Sequence, residues 1–285
     1  MSELRVWKYE GAGNDFVMTH DPEVRRPLEP REVAALCDRR FGVGADGTIR
    51  VTNDAEGRPF MDYRNADGSL AEMCGNGLRC VARFLHDLGL APEQLEVQTR
   101  AGVRSTQLLA DGRVRVDMGV PNLTKAAIPM RGPAWETFLR EPLDLGGGVT
   151  LIASAVSMGN PHLVLFLDDD PDRYHVSHIG PVLERDDRFP EGTNVEFARV
   201  ADGEIAARVW ERGSGETMAC GSGACAIAVA AEEAGLVGSR STVRFPGGLL
   251  EVERDDGGPV LLTGEARRVF ETSVDVGALV GARDA

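Results

Sequence analysis

Lysine is almost absent from this sequence. Of 31 Lys and Arg residues only Lys8 and Lys125 are lysines, which leaves 31 − 2 = 29 arginines. Pyridoxal phosphate chemistry needs a lysine for its Schiff base, and neither of these two stands in a glycine-rich phosphate setting. Positive charge is also short: 31 basic against 45 acidic side chains gives 31 − 45 = −14 at pH 7. That excludes a protein that grips nucleic acid through its phosphates. Cysteine is sparse and odd in number, with Cys37, Cys74, Cys80, Cys220 and Cys225 in 285 residues. Such a count makes no disulfide scaffold and suits a reducing compartment. No apolar run approaches the ~18 residues of a membrane span, and Met1–Glu10 lacks a signal-peptide pattern. The reading is a soluble, cytoplasmic protein with neither membrane nor nucleic acid as partner.

What is present begins with an ordinary globular balance, 42% hydrophobic and 27% charged. A chain of this length forms one or two domains and can bury a core without disulfides or metals. It also carries an internal repeat. Gly13-Asn14 matches Gly159-Asn160, and Cys74-Gly75-Asn76-Gly77 matches Cys220-Gly221-Ser222-Gly223, both at an offset of 220 − 74 = 146. Gly89-Leu90 with Gly235-Leu236, Val97 with Val243, Gly102 with Gly248 and Val114 with Val260 keep that offset without an insertion. A duplicated domain is the simplest account. Its boundary is expected at the turn residues near Gly119-Val120-Pro121-Asn122, which gives domains of 1–119 and 120–267, with 268–285 returning to the first.

Each half reads as α/β. Strands are expected at Leu4–Tyr9, Thr48–Asn53, Leu95–Thr99, Arg113–Asp117, Leu151–Ser157, Leu163–Leu167, Ile205–Glu211 and Thr242–Phe245. Leu78, Val81, Ala82, Leu85 and Leu88 recur at helical spacing after Cys74, up to Gly89. Ala224, Ile227, Ala228 and Ala231 do the same after Cys220, up to Gly235. This second helix is apolar nearly all round and so should be buried. Arg31–Asp38 reads as a surface helix.

Each Cys-Gly-x-Gly block sets a cysteine at a helix start whose backbone N–H groups are uncovered. Such an end favours an anion and favours thiolate over thiol. Two matched thiols suit proton removal from one face of a carbon and delivery to the other, which is racemisation or epimerisation. A thiol pKa of about 8.5 keeps both states reachable near neutral pH. With lysine nearly absent, a cofactor-free route is favoured, the carbanion being stabilised by helix-end N–H groups and exclusion of water. Cys37, Cys80 and Cys225 lack the glycine context and read as core or surface residues.

The blocks around these cysteines are Gly11-Ala-Gly-Asn-Asp-Phe-Val17, Phe41-Gly-Val-Gly-Ala-Asp-Gly47 and Arg64-Asn-Ala-Asp-Gly-Ser-Leu-Ala-Glu-Met-Cys-Gly-Asn-Gly-Leu-Arg-Cys80. Met158-Gly-Asn-Pro-His162, Glu191-Gly-Thr-Asn-Val-Glu-Phe197 and Trp210-Glu-Arg-Gly-Ser-Gly-Glu-Thr-Met-Ala-Cys-Gly-Ser-Gly-Ala-Cys-Ala226 follow. In this order they resemble the diaminopimelate epimerase family over nearly the whole chain. The resemblance implies two homologous, pseudo-symmetric α/β domains, each a β-barrel-like sheet around a central helix, with the site in the cleft between them. It implies epimerisation of LL-2,6-diaminoheptanedioate to the meso form without pyridoxal phosphate or any other cofactor or metal, in lysine and cell-wall precursor synthesis.

By the same resemblance Cys74 and Cys220 are the acid/base pair. Asn14, Asn65, Asn160 and Asn194 are substrate ligands, and Glu211 and Arg212 read the distal amine and carboxylate. Gly75, Asn76, Gly221 and Ser222 supply N–H groups to the reacting carboxylate, and His162 and Glu211 tune the thiols. Phe270 falls at a position linked to homodimer formation. Two departures stand out: Gly47 replaces a frequent Gln, removing a side-chain contact, and Ser222 replaces a common Thr. Under the 146 offset Asn65 matches Glu211 and Phe16 matches His162, so these positions are expected to break the equivalence of the halves.

Two other readings fall away. Gly42-Val-Gly-Ala-Asp-Gly47 fits the dinucleotide fingerprint in letters, but a helix is expected before it and a strand after it, the reverse of what that motif needs. The cysteine spacings lack the pattern of a zinc site. A proline racemase or hydroxyproline epimerase would share both thiols. It usually has His where Asn76 stands and lacks the Glu211-Arg212 reader. A non-catalytic binding module is disfavoured by retention of both cysteines.

Overall fold

A computed structural model of the chain describes residues 3–284 except Glu72, Gly146, Gly147, Asp202 and Asp256. The chain divides into two compact units, Met1–Val116 with Gly264–Ala285, and Asp117–Thr263. In chain order the first contains β1 (Leu4–Gly11), β2 (Asn14–His20), α1 (Pro30–Cys37), β3 (Gly47–Asn53), β4 (Pro59–Asn65), α2 (Gly75–Asp87), β5 (Gln94–Thr99), β6 (Gly102–Leu108) and most of β7 (Val114–Asp117). The second contains β8 (Glu141–Asp144), β9 (Thr150–Ser157), β10 (Pro161–Phe166), α3 (Val176–Glu184), β11 (Asn194–Ala201), β12 (Glu204–Glu211), β13 (Gly215–Thr217), α4 (Gly221–Glu233), β14 (Arg240–Phe245), β15 (Gly248–Arg254) and most of β16 (Val260–Gly264). The first unit is completed by β17 (Arg267–Val274) and α5 (Val276–Asp284).

In the first unit the strands run β17-β1-β2-β3-β4-β5-β6-β7; β2/β3 and β4/β5 are parallel and the other pairs antiparallel. Alternation along β1 sorts its side chains between two layers. Trp7 and Tyr9 meet Phe84 of α2 edge-to-face at 5.1 and 5.6 Å. Val6, with Val17 from β2, packs instead against Val33, Leu36 and Cys37 of α1 and Val276 of α5. Helix α2 touches six of the first seven strands and β17, so the sheet curls round it. Its residues Gly75–Ala82, Phe84 and Leu85 are buried. Helix α1 begins at Pro30 with a Glu29/Glu32 capping box and buries one face only.

The second unit repeats the plan, in the order β8-β9-β10-β11-β12-β14-β15, with β10/β11 and β12/β14 parallel. Helix α4 packs against β9, β10, β11, β14 and β15. Its Gly221 and Gly223–Ala231 are all buried, as its all-round apolar sequence requires. Several elements recur at the same offset: β1/β9, α2/α4, β5/β14 and β6/β15 have identical bounds once 146 is added.

One strand departs from that offset. Phe16 on β2 faces Gly47 on β3, whereas His162 on β10 faces Asn194 on β11. The first partners differ by 162 − 16 = 146 and the second by 194 − 47 = 147. Across the next pair Gly47 faces Asn65, while Val195 faces Trp210 and so sets Asn194 against Glu211. A residue gained before β11 is therefore lost again before β12, and the repeat is not free of insertions, contrary to the ungapped alignment. A slip of one would reverse every side chain of a strand, so the buried face compels the compensation.

The slip makes Gly47 the counterpart of Asn194. A Cβ on Gly47 would run into the Arg64 carbonyl and the Tyr63 ring. The residue matching Tyr63 at 63 + 146 is Val209, which is smaller. Gly47→Ala is expected to cost about 1–3 kcal/mol through overpacking, read as a lowered urea midpoint at unchanged slope. An unchanged midpoint would show that the Tyr63 ring gives way freely.

Candidate active site

The β1–β2 hairpin turns on Ala12 and Gly13, with φ of +55° and +78°, the two left-handed positions of a type I′ turn. That turn puts Asn14 at the first position of β2, opposite Gly11. Asn14 Nδ2 donates to Asp46 at 2.6 Å, and its Oδ1 lies 3.5 Å from Cys74 Sγ and 3.4 Å from Asn76 Nδ2. Cys74 is the N-cap of α2, and its sulfur accepts the Gly77 N–H at 3.4 Å. A Cβ on Gly77 would meet the ends of the Met61 and Ile49 side chains at 2.6 and 2.9 Å, so the helix start lies close on the sheet. Asn65, the last residue of β4, donates from Nδ2 to Ser69 Oγ at 3.0 Å.

The second unit builds the same corner with other chemistry. Cys220 caps α4 and accepts the Gly223 N–H at 3.4 Å, with Ser222 Oγ 3.5 Å from the sulfur. His162 is fully buried; its Nδ1 lies 2.6 Å from Glu196 and its Nε2 lies 2.9 Å from Asn160 Oδ1. Asn160 Nδ2 donates to Ser222 at 3.4 Å. Asn194 donates to the Pro161 carbonyl and accepts the Arg212 N–H, each at 2.9 Å, while the Arg212 guanidinium holds the Glu191 carbonyl at 3.0 Å. Glu211, the last residue of β12 as Asn65 is of β4, accepts from Thr217 and from the Cys220 thiol.

Electrostatics separate the sulfurs. Burial pushes the Cys220 thiol well above its ordinary value, and the carboxylates of Glu211 and Glu196 push it further. Burial also raises Glu211, against the pull of Thr217, Cys220 and His162. Cys220 is therefore held as a thiol at neutral pH, able to give a proton. Among the other cysteines, burial lifts Cys37 to about 12 and raises Cys80 strongly, which leaves both inert. All five cysteines are free thiols.

Within the first unit the structure gathers Asn14, Cys74, Gly75 and Asn76 at the start of α2; within the second it gathers Asn160, His162, Glu211, Gly221 and Ser222 with Cys220 at the start of α4. Asn65 bonds within its own turn, and Phe270 lies on β17 opposite Lys8 of β1, 41% exposed. The loop ahead of Gly47 follows α1 and enters β3, so the dinucleotide pattern there has no helix to open. Sequence reasoning missed Glu196, Thr217 and Asp46. All three stand inside quoted blocks, and Glu196 shares the inward face of β11 with Asn194, a signal that alternation alone supplies.

The sequence model of diaminopimelate epimerase matches residues 6–124 and 154–269. Diaminopimelate epimerase of Desulforudis audaxviator is 48% identical over 278 residues, 94% of this chain and 98% of that protein. The enzyme of that name from a Synechococcus strain is 46% identical over 278 residues, covering 94% and 97%. The crystal structure of a hydroxyproline epimerase from Agrobacterium vitis superposes with a TM-score of 0.70 over 95% of this chain and 92% of that one. At 13% identity this last likeness shows the fold alone.

Proposed function

The chain belongs to the diaminopimelate epimerase family, and from that premise we propose that it interconverts LL- and meso-2,6-diaminoheptanedioate by two-base chemistry, in lysine and cell-wall precursor synthesis. The observation that carries the mechanism is the repeated helix start, with Cys74 and Cys220 each capping a buried helix through a glycine-rich turn. Cys74 as thiolate takes the Cα proton, and Cys220 as thiol gives its own proton to the opposite face. The turnover ends with Cys74 protonated and Cys220 as thiolate, and the reverse reaction restores both. The first N–H groups of a helix point along its axis toward its N-terminus, and those of Gly75-Asn76 and Gly221-Ser222 stabilise the charge that develops on the reacting carboxylate.

Neutral amides suit a zwitterion: Asn14, Asn65, Asn160 and Asn194 bind it without selecting one sign. Arg212 grips the distal carboxylate, since a guanidinium matches it bidentately, and Glu211 takes the distal amine. His162 acts on Cys220 through its neighbours Asn160 and Glu196. No organic cofactor enters this scheme.

Incubation of the purified protein in D₂O, with no pyridoxal phosphate added, tests the reading. Deuterium should enter the α position of diaminopimelate with inversion. Exchange into proline or hydroxyproline instead would favour the racemase reading and discard this one.

The same reading includes a cytoplasmic homodimer. Free cysteines suit the compartment, and among the described residues no helix is long and apolar enough to cross a membrane. Strand β17 pairs with β1 along one edge, and its Val269 and Phe270 are 57% and 41% exposed. An open edge with apolar side chains is a ready pairing surface. Phe270→Asp is expected to shift the mass measured by light scattering from dimer to monomer. An unchanged dimer would place the interface elsewhere.

A further inference from the structure

Asn14 and Asn160 match under the repeat, yet they present opposite ends of their amides to the chemistry around them. Asn160 turns its Oδ1 to His162 and its Nδ2 to Ser222. Asn14 does the reverse, and the cause lies outside the substrate ligands. Asp46 takes Asn14 Nδ2 at 2.6 Å and is itself held by Arg39 Nη2 at 2.8 Å. Arg39 also forks onto Asp15 at 2.7 and 3.1 Å, and the buried Lys8 lies 2.6 Å from Asp15. Burial works against charge on Asp15, but Arg39 and Lys8 outweigh it and hold its carboxyl at about 2. The backbone N–H of Asp15 and the Asp46 N–H tie the two acidic residues together at 3.1 Å each.

An ion-paired carboxylate can only accept. Asp46 therefore admits one orientation of Asn14, the NH₂ toward itself and the carbonyl toward Cys74 Sγ. We propose that Asp46, anchored by Arg39, is a positioning residue that fixes the Asn14 carbonyl on Cys74 and so biases that sulfur toward thiol. The first turn of α2 favours thiolate. The carbonyl is its counterweight, and a sulfur that must take a proton in one direction and return it in the other needs both. The proposal rests on the two-base reading and names what sets one of its bases.

Among the described residues, the charged or titratable groups near this end of α2 include Arg79 and Cys80 on the helix, Glu10 on β1 with its partner Arg267 on β17, and Asp15 on β2 with its partner Lys8. All of them stay unchanged in the test. The rate of Cys74 alkylation by iodoacetamide is followed against pH in substrate-free protein, peptide by peptide. Asp46→Asn removes the constraint, because an amide can donate or accept. The Asn14 NH₂ can then face the sulfur and stabilise thiolate. The Cys74 profile is expected to move down by about one pH unit, with Cys220 unmoved. Arg39→Gln, which loosens Asp46 without removing it, should give a smaller shift of the same sign.

Loss of the Asp46 charge could itself favour thiolate, so the double variant decides. In Asn14→Ala the profile also moves down, and adding Asp46→Asn to that background should shift it no further. A shift that persists without Asn14, an unmoved profile in Asp46→Asn, or an equal shift at Cys220 would each overturn the proposal. The readout needs no turnover. A wild-type protein inert toward diaminopimelate sinks the functional reading, and an unmoved Cys74 profile in an active enzyme sinks this one.

Discussion

Cys74→Ala and Cys220→Ala should each lower kcat/KM for epimerisation by about 10²–10⁴-fold, the scale of losing a positioned acid or base. The two losses should differ in kind. With Cys220 removed, Cys74 can still take the α proton from the LL isomer, exchange it with solvent and return deuterium to the same face. Label then enters the LL isomer without inversion. With Cys74 removed, the same one-sided exchange is expected from the meso isomer. Neither variant should inactivate by unfolding, since Cys→Ala leaves both helix starts capped only by backbone and costs about 1 kcal/mol. Either variant retaining a tenth or more of wild-type turnover would end the two-base mechanism.

His162→Leu should destabilise the second unit by about 1–3 kcal/mol, the cost of leaving a buried polar group without its hydrogen-bond partner. His162 and Glu196 are both fully buried and 2.6 Å apart. The other carboxylate oxygen of Glu196 has no hydrogen-bond partner among the described residues, so nothing else compensates the loss. Denaturant unfolding reads the effect. Removing both members, in His162→Leu with Glu196→Leu, should recover much of the stability, because replacing both partners of a buried hydrogen bond by apolar groups can be nearly neutral. Turnover should not recover, since Asn160 has still lost the group that holds its carbonyl. A single variant as stable as wild type would mean that the pair contributes little.

The two helix starts were legible because their constraint is local. In each, a thiol caps a helix packed close on a sheet, and a glycine three residues on leaves room for the side chains that a Cβ there would meet. Duplication wrote that pattern twice, so Cys74 and Cys220 could be paired by counting. The all-round apolar character of α4 likewise announced its burial. The dependence of Asn14 on Asp46 and Arg39 was not legible, because 46 − 14 = 32 residues separate partners that only a parallel β2/β3 pairing brings together.

Sequence alone thus determined the repeat, both thiols, the helices they cap and the family. Tertiary structure decided the rest: the one-residue slip at β11, the exchange of Gly47 with Tyr63 for Asn194 with Val209, and the pairing of His162 with Glu196. Local signals fix turns, caps and periodicity, since they act within a few residues. Register and buried hydrogen-bond pairing depend on strands far apart in the chain, where a slip of one residue changes which face every side chain meets.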